Sequence, residues 1–287
     1  MTQVISRLQG GLGNQMFQYA AGHALAEYLK VPLLLDRTFL DFRPADMIWT
    51  PRPFELDVFK APSTFASTEM VERMRRKPTL PFLHRSEQYK EIGKTFNEAL
   101  FQQRAPVLID GYWQCERYFL ACPDALRKDH FVPIDNPSAE NASLCAMITS
   151  SKSASLHVRR GDYVTNLEAG RFHGMPGLSY YTNAAEELHQ RCGVESFFVF
   201  SDDPAWVKEN VRLPFAVTHV SHNHDRESHW DLWLMKHCRH HIIANSSFSW
   251  WGAWLNDRAD KTVIAPKNWF ADGGIKHDIL PSSWLTR

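Results

Sequence analysis

The chain has 287 residues, of which 44% are hydrophobic and 22% are charged, as is usual for a folded enzyme-sized protein. Lys and Arg together number 32, as do Asp and Glu, so the charge balance argues against nucleic acid or an anionic membrane as the main partner. The 5 cysteines form no CxxC pair, and no apolar run approaches the ~18 residues that span a bilayer. These features predict a cytoplasmic protein without a transmembrane segment, with peripheral membrane association left open.

In the first half of the chain, short apolar runs alternate with segments in which apolar residues recur at a helical period. The elements predicted in chain order are a strand at 4–8, a tight loop at 10–14, a helix at 15–29, a strand at 33–35, an irregular region at 38–103, a strand at 107–110 and a helix at 116–128. The irregular region is rich in proline and aromatic residues, and predicts short helices and loops.

The second half repeats the β-α-β pattern more regularly. The predicted strands are 154–158, 196–200, 216–220, 241–244 and 262–265, and the predicted helices are 179–190 with Ser179 as its N-cap, 204–210, 230–237 and 249–255. Repeated β-α-β units predict a parallel sheet covered on both faces, so the fold class is α/β. The proline-flanked segment 133–137 is the best linker candidate, and we predict an N-terminal domain at 1–150 and a C-terminal domain at 151–287.

A glycine-rich segment, GGLGNQMFQYA (10–20), follows the first strand. Glycines let the backbone turn sharply beside a ligand, and the next helix points its amides at that ligand. The dinucleotide fingerprint is not met, because Met16 stands where the third glycine belongs, and the Lys-Ser/Thr pair of a Walker loop is missing. Asn14 is the ligand candidate; that it merely caps the helix is an equally weighted alternative.

A polar cluster, HVRRGDY (157–163), ends the buried strand 154–158. Strand alternation puts His157 and Arg159 on one face and turns Arg160 to the other. Adjacent arginines at the carboxyl end of a strand predict an anion grip, because the planar guanidinium holds two oxygens at once. The alternative is a salt-bridge network that joins two domains.

Two further strand ends carry polar side chains. The segment FSDDP (200–204) offers Asp203 as a helix N-cap and Asp202 as a ligand for a guanine edge or a ribose diol. The segment 242–255 ends its strand in four small polar residues before an aromatic helix, and predicts an anion cradle formed by Asn245, Ser246, Ser247 and Ser249. The tryptophans of that helix, Trp250, Trp251 and Trp254, favour core packing over stacking on a ligand.

No metal is predicted. The 14 histidines include clusters around 222–224 and 237–241, but HExxH, Cys/His ligand spacing and Asp-x-Asp are missing from the sequence.

Taken in order, GGLGNQMFQYA, HVRRGDY, FSDDP, HHIIANSSFSWWGAWL and VIAP resemble the bacterial α-1,2-fucosyltransferases of glycosyltransferase family 11. The resemblance implies the GT-B architecture, in which two Rossmann-like domains have parallel sheets facing across a cleft. It implies inverting, metal-independent transfer of L-fucose from GDP-β-L-fucose to the 2-hydroxyl of a terminal β-galactoside, during polysaccharide or O-antigen biosynthesis. The acceptor would be a galactose-terminated oligosaccharide or glycolipid, and no cofactor is expected.

The resemblance also assigns roles to residues. Arg159 would grip the donor pyrophosphate, His157 and Asp202 would reach the guanine and ribose, and Asn14 would approach the fucose or its phosphate. The cradle 245–249 would line the phosphate pocket. Arg160, Tyr163 and Asp231 would be structural supports, with Arg160 paired to Asp162 or Asp231. In α-1,6 relatives a lysine stands where this chain has Tyr163, so Asp162 and Glu168 are the candidates for the catalytic base.

Two other functional classes stay open at this stage. One is a fucosyltransferase of another linkage, such as α-1,6 on a chitin oligomer, which NMR of the product would separate. The other is a sugar-nucleotide or glycan-binding protein without turnover, which a GDP-release assay would separate. A dehydrogenase is disfavoured by Met16 in the glycine loop. Acceptor specificity is expected in 38–103 and 170–177.

Overall fold

The chain forms two compact units, each built on its own parallel sheet. The computed structural model describes residues 2–42, 51–76, 87–161, 170–172 and 174–287. Unit 1 comprises residues 1–132 and 276–281, and unit 2 comprises 133–275 and 282–287. The predicted α/β class with two parallel sheets is confirmed.

Unit 1 has a four-stranded sheet in the order β2-β1-β4-β3, and all three strand pairings are parallel. Its strands are β1 (Val4–Arg7), β2 (Leu33–Asp36), β3 (Gln88–Lys90) and β4 (Val107–Asp110), and its helices are α1 (Leu12–Leu29), α2 (Thr38–Asp41) and α3 (Thr68–Arg75). Helix α1 approaches the sheet closely at Gly22, where an added Cβ would lie 2.8 Å from the Ser6 Cβ and 2.9 Å from the Leu33 Cδ1.

Unit 2 has a six-stranded parallel sheet in the order β10-β9-β8-β5-β6-β7. Its strands are β5 (Ser153–Val158), β6 (Ser196–Ser201), β7 (Ala216–Val220), β8 (His240–Ile242), β9 (Val263–Ala265) and β10 (Leu285–Thr286), and its helices are α4 (Ala139–Ser150), α5 (Leu178–Cys192), α6 (Pro204–Asn210), α7 (His229–His237) and α8 (Ser247–Trp254). The elements predicted for this half are therefore confirmed, with ends shifted by at most two residues, whereas α4 and β10 were not predicted.

Both faces of the second sheet are covered by apolar side chains. Leu156 and Val199 pack with the α5 residues Ala184 and Leu188 on one face. On the other face Phe198 and Phe200 pack against α7 and α4. Because β5 is covered on both sides, all six of its residues are buried, which explains its continuous burial instead of an alternating pattern.

The tryptophans of α8 are core residues, as predicted. Trp250, Trp251 and Trp254 are each at most 2% exposed. The Trp250 and Trp251 ring centroids lie 5.0 Å apart, and the Trp251 and Trp254 centroids 5.2 Å apart, both in edge-to-face geometry. Aromatic packing of this kind anchors α8 by burying large apolar areas.

Three sequence-based expectations need correction. The helix predicted at 116–128 is wrong: a 3₁₀ turn at Glu116–Tyr118 and a π-helical segment at Ala125–His130 flank Pro123, whose ring and missing N–H disfavour a continuous helix. Ser179 is not an N-cap, because α5 begins at Leu178 and Gly177 takes the cap position. Helix α1 begins at Leu12, three residues earlier than predicted.

The two units divide between residues 132 and 133, at the N-terminal edge of the predicted linker 133–137. This division precedes the predicted domain boundary at 150. Helix α4, which lies between these two points, packs with unit 2 through Ile148 against Phe198 and Phe200. The short strand β3, within the region predicted as irregular, pairs with β4 and extends the first sheet. Among the described residues, no helix is both long and apolar enough to cross a membrane.

Candidate functional site

The polar clusters of unit 2 gather at the carboxyl edge of its sheet because β8, β5 and β6 are neighbours. In the β5–β6 pairing His157 lies opposite Phe200, and Val158 lies opposite Ser201. The residues that follow each strand therefore emerge side by side. This register brings Arg159 and Arg160 to Asp202 and Asp203.

Arg159 is held by Asp202. A guanidinium nitrogen of Arg159 lies 3.0 Å from the Asp202 Oδ2, and the two side chains are 22% and 25% exposed. Asp202 also accepts the backbone N–H groups of Arg160 (2.8 Å) and Gly161 (3.0 Å). Burial raises the pKa of Asp202, but Arg159 and these two donors outweigh it, so the pKa lies below its ordinary value. Asp202 is thus an ionised anchor for the 159–161 segment.

Arg160 has a separate set of contacts, as strand alternation predicted. It lies 2.6 Å from the Asp203 Oδ2, and its guanidinium stacks 4.5 Å from the Trp206 ring centroid. Arg160 therefore pairs with Asp203 and not with Asp231, one of its two expected partners, because the register places Asp203 next to it; Asp162, the other expected partner, lies outside the described residues. Asp203 also accepts the Trp206 backbone N–H at 3.2 Å, which confirms it as the N-cap of α6.

His157 is the most buried member of the cluster. It is 4% exposed, and its ring lies 5.7 Å from the Phe248 ring. Burial lowers the pKa of His157 to about 4, Asp202 opposes this and Arg159 adds to it, so the ring is neutral at pH 7. Its Nδ1 is buried, and no hydrogen-bond partner for it lies among the residues that the structure describes. A buried nitrogen left in this state is a natural contact for a ligand.

Some side chains of the predicted cradle at 245–249 are already hydrogen-bonded to backbone carbonyls of the protein. The Asn245 Nδ2 donates to the carbonyls of Gly174 and Trp269, both at 3.2 Å. The Ser249 hydroxyl is fully buried and donates to the carbonyls of Ala244 and Ser246. Ser246 is the N-cap position of α8 and makes no side-chain capping bond. Ser246 and Ser247, at the start of α8, are the members of the cradle best placed to meet a ligand.

Asp231 belongs to a different network from the arginines. Its Oδ1 accepts the Asn223 amide at 2.8 Å, and Asn223 exchanges two 3.0 Å hydrogen bonds with Asn141. His222 also contacts Asn141, at 2.9 Å. Burial raises the pKa of Asp231 to about 7, and the Asn223 hydrogen bond only partly opposes this. Asp231 therefore joins the start of α7 to the loop after β7 and the start of α4.

The glycine-rich segment lies in unit 1, where it turns β1 into α1. Gly11, in an extended conformation, is the N-cap, so the alternative that Asn14 caps the helix is wrong. The Asn14 Oδ1 instead accepts the Gln114 amide at 2.8 Å. The Gln15 amide donates to the carbonyls of Gly10 and Pro53, both at 2.8 Å, which fixes the loop to a segment 38 residues away.

Three predicted residues, Asp162, Tyr163 and Glu168, lie outside the described residues. Their roles as base candidates and support stay predictions.

Within the described ranges, no group of three or more His, Cys, Asp or Glu is arranged to hold a metal ion. His241, from one histidine cluster, is fully buried between the Ser155 hydroxyl and the Asn256 amide, each 2.8 Å away. Burial lowers the pKa of His241 well below its ordinary value, so it is a neutral core residue.

Two sets of contacts that hold this site were not predicted from the sequence. The sequence did contain a signal for the pairing of Arg160 with Asp203, since two adjacent arginines and two adjacent aspartates follow neighbouring strands. The Asn141–Asn223–Asp231 network had none, because its members are far apart in the sequence and have no motif.

The sequence of this chain matches a known protein family. The model of glycosyl transferase family 11 matches residues 3–286. An α-1,2-colitosyltransferase of Escherichia coli is 35% identical over 99% of this chain and 99% of that protein. The O-antigen biosynthesis glycosyltransferase WbnK of Escherichia coli is 34% identical over 98% of this chain and 99% of that protein. A galactoside α-(1,2)-fucosyltransferase 1 of Leontocebus fuscicollis is 26% identical over 86% of this chain and 63% of that protein.

Proposed function

The chain belongs to glycosyl transferase family 11, and from this premise we propose that it transfers L-fucose from GDP-β-L-fucose to the 2-hydroxyl of a terminal β-galactoside. The acceptor is a galactose-terminated oligosaccharide or glycolipid of a surface polysaccharide. Two of the relatives named above carry an α-1,2 linkage in their names, and another is an O-antigen biosynthesis enzyme, which supports this choice of linkage and acceptor.

The observation that carries the proposal is the Arg159–Asp202 pair at the carboxyl end of β5. Transfer from a β-linked donor to an α-linked product inverts the anomeric carbon, so a single displacement expels GDP. The departing diphosphate gains charge, and a guanidinium already fixed in place stabilises it without reorganisation. Asp202 keeps Arg159 oriented and remains ionised, because its pKa lies below the ordinary value.

His157 takes a second role toward the nucleotide. Its Nδ1 is buried and needs a partner, and the neutral ring can either donate or accept a hydrogen bond. Guanine and ribose offer both kinds of group. Ser246 and Ser247 would meet phosphate oxygens, and Asn14 would approach the donor sugar or its phosphate. A contact between Asp202 and guanine or ribose would use the lone pairs that Arg159 and the backbone leave available.

The base that takes the proton of the acceptor hydroxyl stays assigned to Asp162 or Glu168. An inverting displacement needs such a group on the acceptor side of the sugar.

The direct test incubates the full chain with GDP-fucose and a panel of β-galactosides, measures GDP release, and assigns the product by NMR. We expect acceptor-dependent release and an α-linkage to the galactose 2-hydroxyl. A product fucosylated at another position would reject the linkage, and nucleotide binding without release would favour a non-catalytic binding protein.

A second donor deserves the same assay, because one relative with full-length similarity is a colitosyltransferase. Colitose is fucose without its 3-hydroxyl, so both sugars present the same anomeric carbon and the same diphosphate to Arg159. Comparing kcat/KM for GDP-fucose and GDP-colitose on one acceptor decides between them. We expect the higher value with GDP-fucose; the reverse order would make the chain a colitosyltransferase.

Transfer is expected to continue in excess EDTA. The sequence has no Asp-x-Asp motif, with which metal-dependent transferases hold the divalent ion, and Arg159 supplies positive charge to the diphosphate. The measurement is the initial rate of GDP release with EDTA and after Mg²⁺ or Mn²⁺ is restored. Full inactivation that the metal reverses would contradict the metal-independent mechanism.

A further inference from the structure

Unit 2 contains a half-open cavity with a volume of about 320 Å³, lined in part by Asn245, the first residue of the cradle 245–249. It lies where β8 and β9 end, between the segment that follows β9 and the segment that leads into α5. Cavities that hold small ligands begin at about 300 Å³.

The polar groups of this cavity suit a ligand with hydroxyl groups. Lys267 and Asn268, both exposed, follow β9 and line the cavity. Arg287 also lines it, but its guanidinium donates two hydrogen bonds to Glu187. That ion pair leaves the Lys267 ammonium and the Asn268 amide as the main exposed polar groups, because the amide of the buried Asn245, which also lines the cavity, donates to the carbonyls of Gly174 and Trp269. The arrangement favours a neutral, hydroxyl-rich ligand over a phosphate, which would be matched better by an uncompensated pair of cations.

Apolar groups provide the second half of the lining. Phe270 and Tyr180 contribute ring surface, and Met175 stands at the mouth with 51% of its surface exposed. Phe172, 48% exposed, contacts Phe270 with ring centroids 5.1 Å apart. Aromatic and thioether surfaces next to an amide and an ammonium can pack on the C–H face of a pyranose while its hydroxyls are hydrogen-bonded.

The strand order gives the cavity a position relative to the donor. Strand β5, which leads to Arg159, lies between β8 on one side and β6 on the other. Asp202 follows β6, so under the proposed function the guanosine of the donor lies on the β6 side of Arg159. The cavity lies on the opposite side, beyond β8, toward which the sugar end of the donor would point.

We propose that this cavity is an acceptor subsite that binds the sugar ring next to the fucosylated galactose, with Lys267 and Asn268 as its specificity residues. The inference rests on the proposed function for its choice of ligand. Residues 174–177 of the segment 170–177, in which the sequence led us to expect acceptor specificity, line the cavity, and the inference adds Lys267 and Asn268 to that segment.

The test compares two acceptors in the full chain: methyl β-galactoside, which has one ring, and lactose, which has two. In Lys267→Ala and Asn268→Ala, kcat/KM for lactose is expected to fall about tenfold, since a hydrogen bond to a charged or amide group is lost. The value for methyl β-galactoside and the KM for GDP-fucose are expected to stay within a factor of about two. Lys152→Ala, an exposed lysine directly before β5 at the opposite edge of the sheet, is the matched control.

Two results would overturn the inference: an equal loss with both acceptors, which would mean a general effect on fold or donor, and no loss with either. Binding of lactose, measured by saturation-transfer NMR in the presence of GDP, separates this inference from the proposed function. If the wild-type chain transfers to no galactoside but binds lactose, and Lys267→Ala abolishes that binding, the proposed function fails and the subsite stands. If the wild-type chain transfers fucose but the variants bind and use lactose normally, only the subsite fails.

Discussion

Replacing Arg159 with alanine is expected to reduce fucosyl transfer by about 10²–10³-fold, which corresponds to about 3–4 kcal/mol of transition-state stabilisation. The guanidinium is fixed by Asp202 before the donor arrives, so its charge is available to the departing diphosphate at no cost in reorganisation. Arg159→Lys is expected to fail as well, because an ammonium cannot engage two oxygens through a planar fork. The measurement is kcat/KM from GDP release, with the product confirmed by mass spectrometry.

A surface arginine in the same unit supplies the control. Arg258 pairs with Asp260 in an exposed ion pair, and Arg258→Ala is expected to keep full activity. Circular dichroism and the melting temperature of Arg159→Ala report whether loss of the Asp202 pair has disturbed the fold. If a folded Arg159→Ala variant retained more than a tenth of the activity, the assignment of Arg159 to the diphosphate would be wrong.

Asp231→Asn is expected to make the protein more resistant to unfolding above pH 7. The pKa of this carboxyl is raised to about 7 in the folded chain from an ordinary value of 3.8. Between these values the folded chain binds a proton that the unfolded chain has lost, so stability from this group declines as pH rises and is gone above about pH 7. The expected loss between pH 5 and pH 8 is on the order of 3 kcal/mol, at 1.36 kcal/mol per pKa unit. Asparagine has no proton to lose and still accepts the Asn223 amide.

The quantity to measure is the difference in free energy of unfolding between the variant and the wild type, from urea titrations at several pH values. A difference is needed because buried histidines such as His157 and His241, whose pKa values are lowered, titrate with the opposite sign. Asp257→Asn, at an exposed position, is the control and is expected to leave the pH dependence unchanged. If the free energy of unfolding of Asp231→Asn had the same pH dependence as that of the wild type, the claim that the Asp231 carboxyl is protonated in the folded chain would be wrong.

The sequence predicted the second sheet well because its signals are local. A buried run of phenylalanines with one valine marks β6, a short apolar run that ends in polar residues marks β5, and Pro204 marks the start of α6. The gathering of polar side chains at one edge of the sheet was predictable too, since the carboxyl ends of parallel strands lie at the same edge. The separate contacts of Arg159 and Arg160 agree with the strand alternation that the sequence indicated.

Other parts of the site could not be read in this way. The role of Asp202 depends on strand register, which places its carboxylate against the backbone of Arg160 and Gly161, and register is a property of pairing rather than of one segment. The raised pKa of Asp231 depends on burial by elements distant in sequence. The broken helix at 116–128 shows that a helical period was given too much weight beside Pro123.

One side chain joins two neighbouring pieces of unit 2. Asp203 begins α6 with one carboxylate oxygen and holds Arg160 with the other, while the Arg160 guanidinium lies against a ring of that same helix. These contacts connect the segment after β5 to the first turn of α6. Arg160 is the neighbour of Arg159, which meets the donor under the proposed function, so we expect that substitutions on this outlying helix can alter turnover without touching substrate.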